Sequence, residues 1–550
     1  MTKSGARTYQ DLGEHIEALD KKGLLVTIDE PIDKDAEMHP LVRWQFRGGI
    51  AEADRKAFLF TNIIDGKGRR YNLPVAVCAL AASQEIYSTG MNAPVEDLGD
   101  KWKAALANPV PPRELDRETE QAPCQEVVLT GDDLQGEGNG LDALPIPVST
   151  PGFDSAPTLS ATNVISCDPE SGIQNMGTYR AGLKAPDRLV VRMATRAGGA
   201  GGYIHWQKYK TRGEKMPCAI VLGCPPYVAF MGPQKLPIDM DEFEVAGGLA
   251  GEPINVVKGV TVDLFVPAEA EVVIEGYIDP DIVEPEGPFG ESHGYIALEE
   301  YNLPMQVTAI THKKKAIVPS YISQVTPSES SVIKRVAYEP LFLFHLRDTL
   351  AIQAVTKVSL HEPLTALLRV TIITMARGAT KSDTWRALYG ATSFKGDCGK
   401  ITIAVNEDID PDNADALLWA LAYRHSPAED IVILPHRGQG HGPKREHGGE
   451  QDSTLLIDAT MKSDMPPLAL PAKEYMENAK VLWERLGLPE LRPEAPWHGY
   501  SLGDWNDSWE KDAKRAATGD YLINGALTLQ RQQKDVVPET SVRDVEDGWD

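Results

Sequence analysis

The sequence predicts a mixed α/β (α+β) protein with three successive domains, and three observations support this fold class. The first part of the chain alternates an amphipathic helix pattern with short apolar runs. The middle is rich in Gly and Pro and contains many short β-branched runs, which are typical of strands joined by turns. Near residue 400 the pattern becomes strand, helix, strand, which is typical of a βαβ unit.

The first domain is predicted over residues 1–125 as a small α/β domain. Leu12, Ile16 and Leu19 recur at helical spacing, and Gly23 is placed to end that helix. A strand is predicted over 24–28. Two further strands are predicted, over 57–63 and 75–80.

The second domain is predicted over residues 126–330 as an all-β domain, a barrel or a sandwich. Residues 260–266 alternate apolar and polar side chains, which predicts a strand. Similar short runs occupy 272–278, 305–310 and 317–322. The long loops between these strands are the places where a functional site is expected.

A connecting helix is predicted within 331–355, and a third domain over 356–480. In that domain 401–405 and 430–434 read as strands on either side of an apolar helix over 414–423. The tail over 481–550 is polar and contains several tryptophans, which argue against simple disorder. We expect the tail to pack on the body of the protein or on a neighbouring subunit.

Composition excludes several classes of function. The 550 residues carry a net charge of −25, so the chain is not built to coat nucleic acid, which needs a basic face. The sequence contains no apolar run near the ~20 residues that span a bilayer and no N-terminal secretion signal. Six cysteines without a CxxC pair favour a reducing, cytoplasmic location.

Common catalytic motifs are missing from the sequence: there is no GxxxxGK[ST], GxSxG or HExxH. Three weaker features are better explained as ordinary surface. They are the glycine run 198–202, which lacks the GxGxxG spacing, the loop histidines at 436, 441 and 447, and the lysine run 313–315. A phosphate or metal role for them is the minority interpretation.

The most informative segment is Glu-Gly-Pro-Phe-Gly-Glu, which places Glu286 and Glu291 five residues apart. A Gly-Pro-x-Gly stretch forms a rigid turn, so both carboxylates can face one cleft. Paired carboxylates in a partly apolar site separate their pKa values and leave one able to donate a proton near pH 7. From the pattern alone, a simple polar turn is equally good.

Two other segments carry polar groups suited to ligands. In the segment from Asn175 to Arg180, the amide can bind a metal and the guanidinium can bind a carboxylate or phosphate. The cluster Asp241, Glu242 and Glu244 can supply a metal ligand, although an acidic helix start is the commoner explanation.

Taken together, these segments resemble the UbiD family of decarboxylases, which use prenylated flavin mononucleotide (prenylated FMN). The resemblance covers residues 8–480 and is most specific at the string Pro-Glu-Gly-Pro-Phe-Gly-Glu-x-His-Gly-Tyr around Glu286 and Glu291. It implies an N-terminal α/β domain, a split β-barrel that binds the flavin, and a C-terminal α/β domain used in oligomerisation.

The resemblance also implies roles for individual residues. Arg180, Glu286 and Glu291 match the catalytic network of the family, with Glu291 as the proton donor. Asn175 and either Glu242 or Glu244 match the ligands of a divalent metal, usually Mn²⁺, with K⁺ nearby. The histidine that some members add to this metal site is absent, and His205 could replace it only with a local insertion. The stretches that match cofactor-binding segments contain Asn175, Thr178, Tyr179, Arg180, Arg192, Met193, Ala194, Ala197 and Gly198.

The activity implied is reversible, non-oxidative decarboxylation of an aromatic or α,β-unsaturated acid through a covalent adduct with prenylated FMN. Candidate substrates are an aryl coenzyme A thioester, with phosphates near the lysine run or near Arg437 and Lys444, or a hydroxybenzoate-type acid. A flavoprotein oxidoreductase and a non-catalytic flavin-binding protein remain alternatives. The implied partners are a flavin prenyltransferase that supplies the cofactor and further copies of the chain in a dimer or hexamer.

Overall fold

The computed structural model describes residues 9–116, 118–193, 200–234, 236, 240–363, 368–394, 399–438, 452–462, 465–500 and 505–532. These residues form two compact units. One takes the described residues within Met1–Ile373, Thr380–Ile403 and Ile431–Ile457. The other takes those within Thr374–Ala379, Ala404–Asp430 and Asp458–Asp550.

The helices are distributed along the whole described chain. They are α1 (Leu12–Lys21), α2 (Met38–Arg47), α3 (Gln84–Met91), α4 (Leu98–Ala107), α5 (Gly201–Arg212), α6 (Pro226–Ala229), α7 (Glu242–Ala250), α8 (Glu329–Phe344), α9 (Lys381–Ser393), α10 (Ala414–Tyr423), α11 (Lys473–Arg485), α12 (Asp507–Ala517) and α13 (Tyr521–Gln530). No helix in the described part of the chain has the length and apolar character to cross a membrane.

Most of the strands lie before residue 321. The first eight are β1 (Leu25–Ile28), β2 (Ile32–Asp33), β3 (Ala57–Phe60), β4 (Ile63–Ile64), β5 (Arg70–Tyr71), β6 (Val75–Val77), β7 (Arg113–Glu114) and β8 (Val127–Thr130). The next are β9 (Thr158–Leu159), β10 (Thr162–Cys167), β11 (Gln174–Gly177), β12 (Ala181–Ala185), β13 (Arg188–Val191), β14 (Met216–Leu222), β15 (Asn255–Lys258), β16 (Phe265–Pro267), β17 (Val272–Ile278), β18 (Glu284–Glu286), β19 (Phe289–Gly290), β20 (Ile296–Ala297), β21 (Glu300–His312) and β22 (Val318–Ser320). The last are β23 (Val355–Leu360), β24 (Val370–Met375), β25 (Ile401–Asn406), β26 (Ile431–Arg437) and β27 (Asp452–Asp458).

The N-terminal helix forms as the sequence predicts. The Asp11 side chain caps α1 by accepting the N–H of Glu14 at 2.9 Å. The apolar stripe Leu12, Ile16 and Leu19 is buried, and Gly23 takes a positive φ of 68° just beyond the end of the helix. Strand β1 follows and joins a four-stranded sheet of order β1-β3-β6-β22.

The centre of the molecule is a ten-stranded sheet with the order β11-β10-β14-β17-β21-β13-β12-β9, to which β8 and β18 add along β21. Both faces of this sheet are covered. Ile220 and Ile274 belong to one buried apolar cluster, whereas their neighbours Val221 and Val273 belong to another. Burial on both faces explains why these strands read as continuous apolar runs.

The strand predicted over 260–266 is wrong. The chain forms β15, turns, and re-enters the sheet as β16, with which β15 pairs antiparallel. The turn is organised by the buried carboxylate of Glu275, which accepts the N–H groups of Val260 at 2.9 Å and of Thr261 at 2.6 Å. A carboxylate from a neighbouring strand thus satisfies backbone donors that a strand would have used.

In the C-terminal part, α8 begins at Glu329 behind a capping box at Ser328, ends at Phe344, and continues into one π-helical turn. This is the connecting helix predicted from the sequence. The helix predicted over 414–423 is α10. The strands on either side of it are not neighbours, because the sheet has the order β23-β24-β25-β27-β26 and β27 lies between them. The chain is a mixed α/β protein, as predicted.

Candidate active site

One guanidinium brings the two motif carboxylates together. Arg180 lies between β11 and β12. Its Nε and Nη2 donate to Glu286 Oε1 and Oε2 at 2.7 and 2.9 Å, a bidentate pair. Its Nη1 donates to Glu291 Oε1. The expectation that both glutamates face one place is therefore met, and the place is the fork of Arg180.

The three side chains are buried, with 12, 7 and 10% of their surfaces exposed for Arg180, Glu286 and Glu291. Burial opposes the charge of Arg180, but hydrogen bonds and attraction to the two glutamates outweigh it and raise the pKa of this arginine. The ring of Phe289 lies 4.4 Å from the guanidinium carbon. The arginine is therefore held as a cation between carboxylates and an aromatic face.

The Gly-Pro-Phe-Gly turn needs its glycines because another loop lies directly against it. A Cβ atom on Gly287 would lie 1.8 Å from Oγ of Ser155, which is a severe clash. The carboxylate of Asp154 accepts the N–H of Gly290 at 3.0 Å and that of Thr150 at 2.7 Å. Burial raises the pKa of Asp154. The loop that contains Asp154 and Ser155 thereby holds in place the turn that carries Glu286 and Glu291.

A second arginine extends the network. Arg192 Nη1 donates to Glu291 Oε1 at 3.3 Å, Nη2 donates to Glu300 Oε2 at 3.1 Å, and Nε lies 3.9 Å from Glu286 Oε2. Asn302 Nδ2 donates to Glu286 Oε2 at 3.1 Å. The sequence analysis missed Glu300 and Asn302. Their signal is a polar pair at i and i+2, on one face of a strand, immediately before an apolar run.

The segments that carry two of the predicted metal ligands, Asn175 and Glu242, contact each other. Glu242 lies at the start of α7. Its carboxylate accepts the N–H of Met176, the residue after Asn175, at 3.1 Å. Burial raises the pKa of Glu242 to about 7, and no lysine or arginine of the described residues pairs with it. Glu244 is less buried, and its backbone carbonyl accepts the N–H of Val110. A buried carboxylate without a counter-charge next to an amide suits a divalent cation.

The predicted cofactor segment contains an unmatched hydroxyl. Thr178 Oγ1 is buried and has no hydrogen-bond partner among the described residues. The hydroxyl of Tyr179 accepts the N–H of Gly202 at 3.3 Å, and burial raises the pKa of that tyrosine. Helix α5 starts here without a side-chain cap. An uncapped helix start beside a hydroxyl without a partner suits an anionic group such as a phosphate.

The remaining residues that were predicted to bind the cofactor or the metal do not lie together. The side chain of Met193 is buried in the apolar core. His205 is buried on α5, and its Nδ1 lies 2.9 Å from Oγ of Ser166, the strand partner of Asn175. Burial lowers the pKa of His205. Ala194, Ala197 and Gly198 lie outside the described residues.

The structure also shows where parts of the lysine run and of the histidine loop lie. Lys313 is committed to ion pairs with Asp11 at 2.7 Å and Glu271 at 2.8 Å. The Lys313 side chain is only 12% exposed, so the ordinary surface predicted for the lysine run is wrong at this position, and its ammonium is already committed to carboxylates. His436 and Arg437 lie at the end of β26. His441, Lys444 and His447 lie outside the described residues. Within the described residues, no three His, Cys, Asp or Glu side chains cluster as a metal cage.

Three protein-family profiles match the chain in order. Residues 16–106 match the N-terminal domain of 3-octaprenyl-4-hydroxybenzoate carboxy-lyase (UbiD), 116–325 match its Rift-related domain, and 335–459 match its C-terminal domain. Together the matches cover most of the sequence and include every site residue described above.

Solved structures show the same similarity. An evolved dimeric form of the UbiD-class enzyme HmfF from Pelotomaculum thermopropionicum, in complex with prenylated FMN, is 27% identical with a TM-score of 0.72, covering 86% of this chain and 100% of that one. HmfF in complex with FMN is 26% identical with a TM-score of 0.73, covering 86% and 99%. The closed form of vanillic acid decarboxylase from Sedimentibacter hydroxybenzoicus is 25% identical with a TM-score of 0.71, covering 88% and 100%.

Proposed function

Since this chain belongs to the UbiD family of carboxy-lyases, we propose that it is a reversible, non-oxidative decarboxylase of an aromatic or α,β-unsaturated carboxylic acid. The observation that carries the proposal is the fork of Arg180, which holds Glu286 by two hydrogen bonds and Glu291 by one. Its proposed cofactor is prenylated FMN, because the similar HmfF structure contains it. When bound, prenylated FMN supplies the electron sink that loss of CO₂ from an sp² carbon requires.

We assign different roles to the two glutamates. Glu286 is surrounded by donors, with two from Arg180, one from Asn302 and Arg192 nearby, which is the environment of an orienting carboxylate. Glu291 receives one nitrogen from Arg180 and one from Arg192, both at Oε1. We therefore assign to Glu291 the proton-donor role that the family resemblance implies. In this proposal Glu291 transfers its proton to the carbon that has lost CO₂, and the electron pair of the broken C–C bond becomes that of the new C–H bond. Such general acid catalysis contributes roughly 10²–10⁴-fold.

The binding groups are proposed from the same region. The hydroxyl of Thr178, which has no partner among the described residues, and the uncapped start of α5 would hold the cofactor phosphate, with Tyr179 beside them. Asn175 and Glu242 would hold a divalent metal, Mn²⁺ by family resemblance, with K⁺ nearby. Two protein ligands do not fill the shell of such an ion, so oxygen atoms of a bound phosphate would contribute to it. We favour Glu242 over Glu244 because Glu242 is buried beside Asn175.

The substrate is proposed at the level of a class. One argument for an aryl coenzyme A substrate was that the lysine run could bind its phosphates. The ammonium of Lys313 is already paired with two carboxylates, which weakens that argument. The similarity to vanillic acid decarboxylase favours a hydroxybenzoate-type acid. A panel of substituted benzoates, heteroaromatic acids and their coenzyme A esters separates these alternatives.

The first experiment is mass spectrometry of small molecules released from full-length protein that is co-produced with a flavin prenyltransferase. Prenylated FMN together with a divalent metal supports the proposal, whereas no flavin after reconstitution overturns it. Bleaching of the bound chromophore by NAD(P)H would favour an oxidoreductase instead.

The role of Glu291 has its own test. Glu291→Gln should keep the cofactor but reduce decarboxylation and solvent deuterium exchange by at least ~10²-fold, because the amide cannot donate the proton. The matched control is Glu299→Gln, an exposed glutamate of the same segment, which should match the wild type. Full activity of Glu291→Gln would refute the proton-donor assignment.

A further inference from the structure

The first residues of β21 reach into the carboxylate network. We propose that Glu300 is a positioning residue, which draws Arg192 away from Glu291 and so keeps Glu291 able to hold a proton at neutral pH. This inference rests on the proposed role of Glu291 as proton donor. It adds to the proposed site a residue outside the Glu286–Glu291 motif.

The strand pairing puts Glu300 in reach of the site. Strand β21 pairs with β18 so that Glu300 faces Glu286, and with β13 so that Leu303 faces Val191. Arg192 follows Val191 directly. The start of β21 therefore lies between the strand that presents Arg192 and the strand that presents Glu286, and Glu300 reaches Arg192 from there.

Arg192 divides its donors between two carboxylates. Its Nη2 lies 3.1 Å from Glu300 Oε2, and its Nη1 lies 3.3 Å from Glu291 Oε1. The contact with Glu300 is the shorter of the two. A guanidinium has a fixed planar fork, so an anchor on one nitrogen determines where the other can point. Glu300 thereby limits how closely Arg192 can approach Glu291.

The charge balance points the same way. Two guanidiniums, of Arg180 and Arg192, face three carboxyl groups, of Glu286, Glu291 and Glu300. Glu300 adds a negative charge on the same guanidinium that binds Glu291, and a like charge nearby favours the protonated form of a carboxyl group. Glu300 is the most hydrated, with 39% of its side chain exposed, whereas Glu291 is 10% exposed. Burial penalises the charged form most at the sites that water does not reach.

Removal of the Glu300 charge should reverse this preference. Arg192 would then keep its contacts with Glu291 and Glu286 without the competing anchor at Glu300, and one negative charge beside Glu291 would be gone. Glu291 would ionise at a lower pH and would lose its donor form within the working range. Among the described residues, the titratable groups on the elements packed around Glu291 include Arg180, Arg192, Glu286, Glu300, Asp154 and His293.

The experiment compares full-length, cofactor-loaded wild type with Glu300→Gln, Glu300→Asp and the exposed control Glu299→Gln. The pH above which kcat declines should fall by about one unit in Glu300→Gln, which is ~10-fold in turnover at alkaline pH. It should stay unchanged in Glu299→Gln and recover partly in Glu300→Asp. A Glu300→Gln profile that overlays the wild type would overturn the proposal, even if kcat or KM changed uniformly with pH.

A second measurement does not depend on turnover. Infrared titration of the same proteins follows the C=O band of a protonated carboxyl group, assigned to Glu291 by its loss in Glu291→Gln. This band should disappear at lower pH in Glu300→Gln than in the wild type. The same midpoint in both proteins, or no band that Glu291→Gln removes, overturns the role of Glu300. Wild type that decarboxylates no acid in the panel instead contradicts the proposed function, and the infrared titration still decides the role of Glu300.

Discussion

At the scale of single residues, position matters more than residue type. Glu242 and Glu244 are two residues apart on α7, yet only Glu242 is buried, and its carboxylate meets the N–H beside Asn175. The same contrast separates Glu286, which is fixed by a bidentate arginine, from Glu291, which is not. The sequence identified all four glutamates but could not rank the first two, because burial is decided by the packing of α7.

The ranking of the two acidic residues is testable. Glu242→Gln removes the charge of the proposed metal site, so metal retained after gel filtration should fall by roughly 10–100-fold. Glu244→Gln is the matched control on the same helix and should retain metal like the wild type. Elemental analysis of both proteins, loaded with Mn²⁺ in parallel, gives the answer. Equal loss in the two variants would show that the ranking is wrong.

At the scale of elements, the turn between Glu286 and Glu291 depends on space. Gly287→Ala would place a methyl group 1.8 Å from Oγ of Ser155 and 2.5 Å from its Cβ, so either the turn or the facing loop must move. We expect at least a ~10²-fold loss of kcat/KM, because small displacements of catalytic groups are costly. The double variant Gly287→Ala, Ser155→Gly removes the clashing atoms and should recover most of the activity. A single variant as active as the wild type would contradict the steric argument.

Two buried histidines make the helices of the N-terminal region sensitive to acid. Burial lowers the pKa of His15 on α1 to about 4 and that of His39 on α2 to about 3, whereas the unfolded chain binds these protons near pH 6.5. The stability contributed by the neutral forms is complete above pH 6.5 and declines as pH falls toward 4 and 3. Each histidine costs roughly 2 kcal/mol between pH 6.5 and 5.

This acid sensitivity has a direct check. Burial raises the pKa of Glu329 to about 7, so the folded state takes up a proton there between pH 7 and 4.5 and opposes the histidine effect. The contribution of one histidine is therefore measured by comparing the loss of unfolding free energy in a variant with that in the wild type. Urea denaturation at pH 7 and 5 should show a smaller loss for His39→Gln than for the wild type. The partly exposed control His345→Gln should behave like the wild type, and an identical loss in all three would exclude His39 as a cause.

Prediction from sequence succeeded where the signal is local and failed where it is not. Helix α1 is encoded by a cap, a stripe and a terminal glycine, and β17 coincides with the apolar run 272–278. The alternation over 260–266 misled because Glu275, from another strand, organises that segment as a turn. Glu300 and Asn302 escaped notice because the register of β21 against β18 and β13 is a long-range property.

At the scale of the whole molecule, the C-terminal helices expose much apolar surface. None of the residues of α12 and α13 is buried, and Leu522 and Leu529 are 73 and 62% exposed. The two helices contact each other, since Asn524 Nδ2 donates to the carbonyl of Asp512 at 2.7 Å. An exposed apolar helix pair is typical of an association surface, in line with the predicted homo-oligomer.

The exposed apolar face of α12 and α13 gives a prediction about the size of the oligomer in solution. Leu522 and Leu529 are seven residues apart and so share one helix face. The double variant Leu522→Asp, Leu529→Asp should shift the protein toward smaller species in analytical ultracentrifugation, because charges on that face oppose burial. The exposed polar change Gln530→Glu on the same helix serves as control. Unchanged sedimentation of the leucine variant would place the oligomer contact elsewhere.

Strand β21 has a consequence for how this enzyme can change over evolutionary time. Its 13 residues pair with β17, β13, β8 and β18, so the backbone that presents Glu300 and Asn302 is shared with most of the central sheet. A mutation in this strand disturbs catalysis and folding together, so stepwise changes of function through β21 are disfavoured. The rim beside it is free of this constraint, since Tyr295 and Leu298 lie before the strand begins at Glu300 and are 65 and 77% exposed. New substrate preferences should arise first at these two positions, and a mutant library confined to them should keep more folded members than one spread along β21.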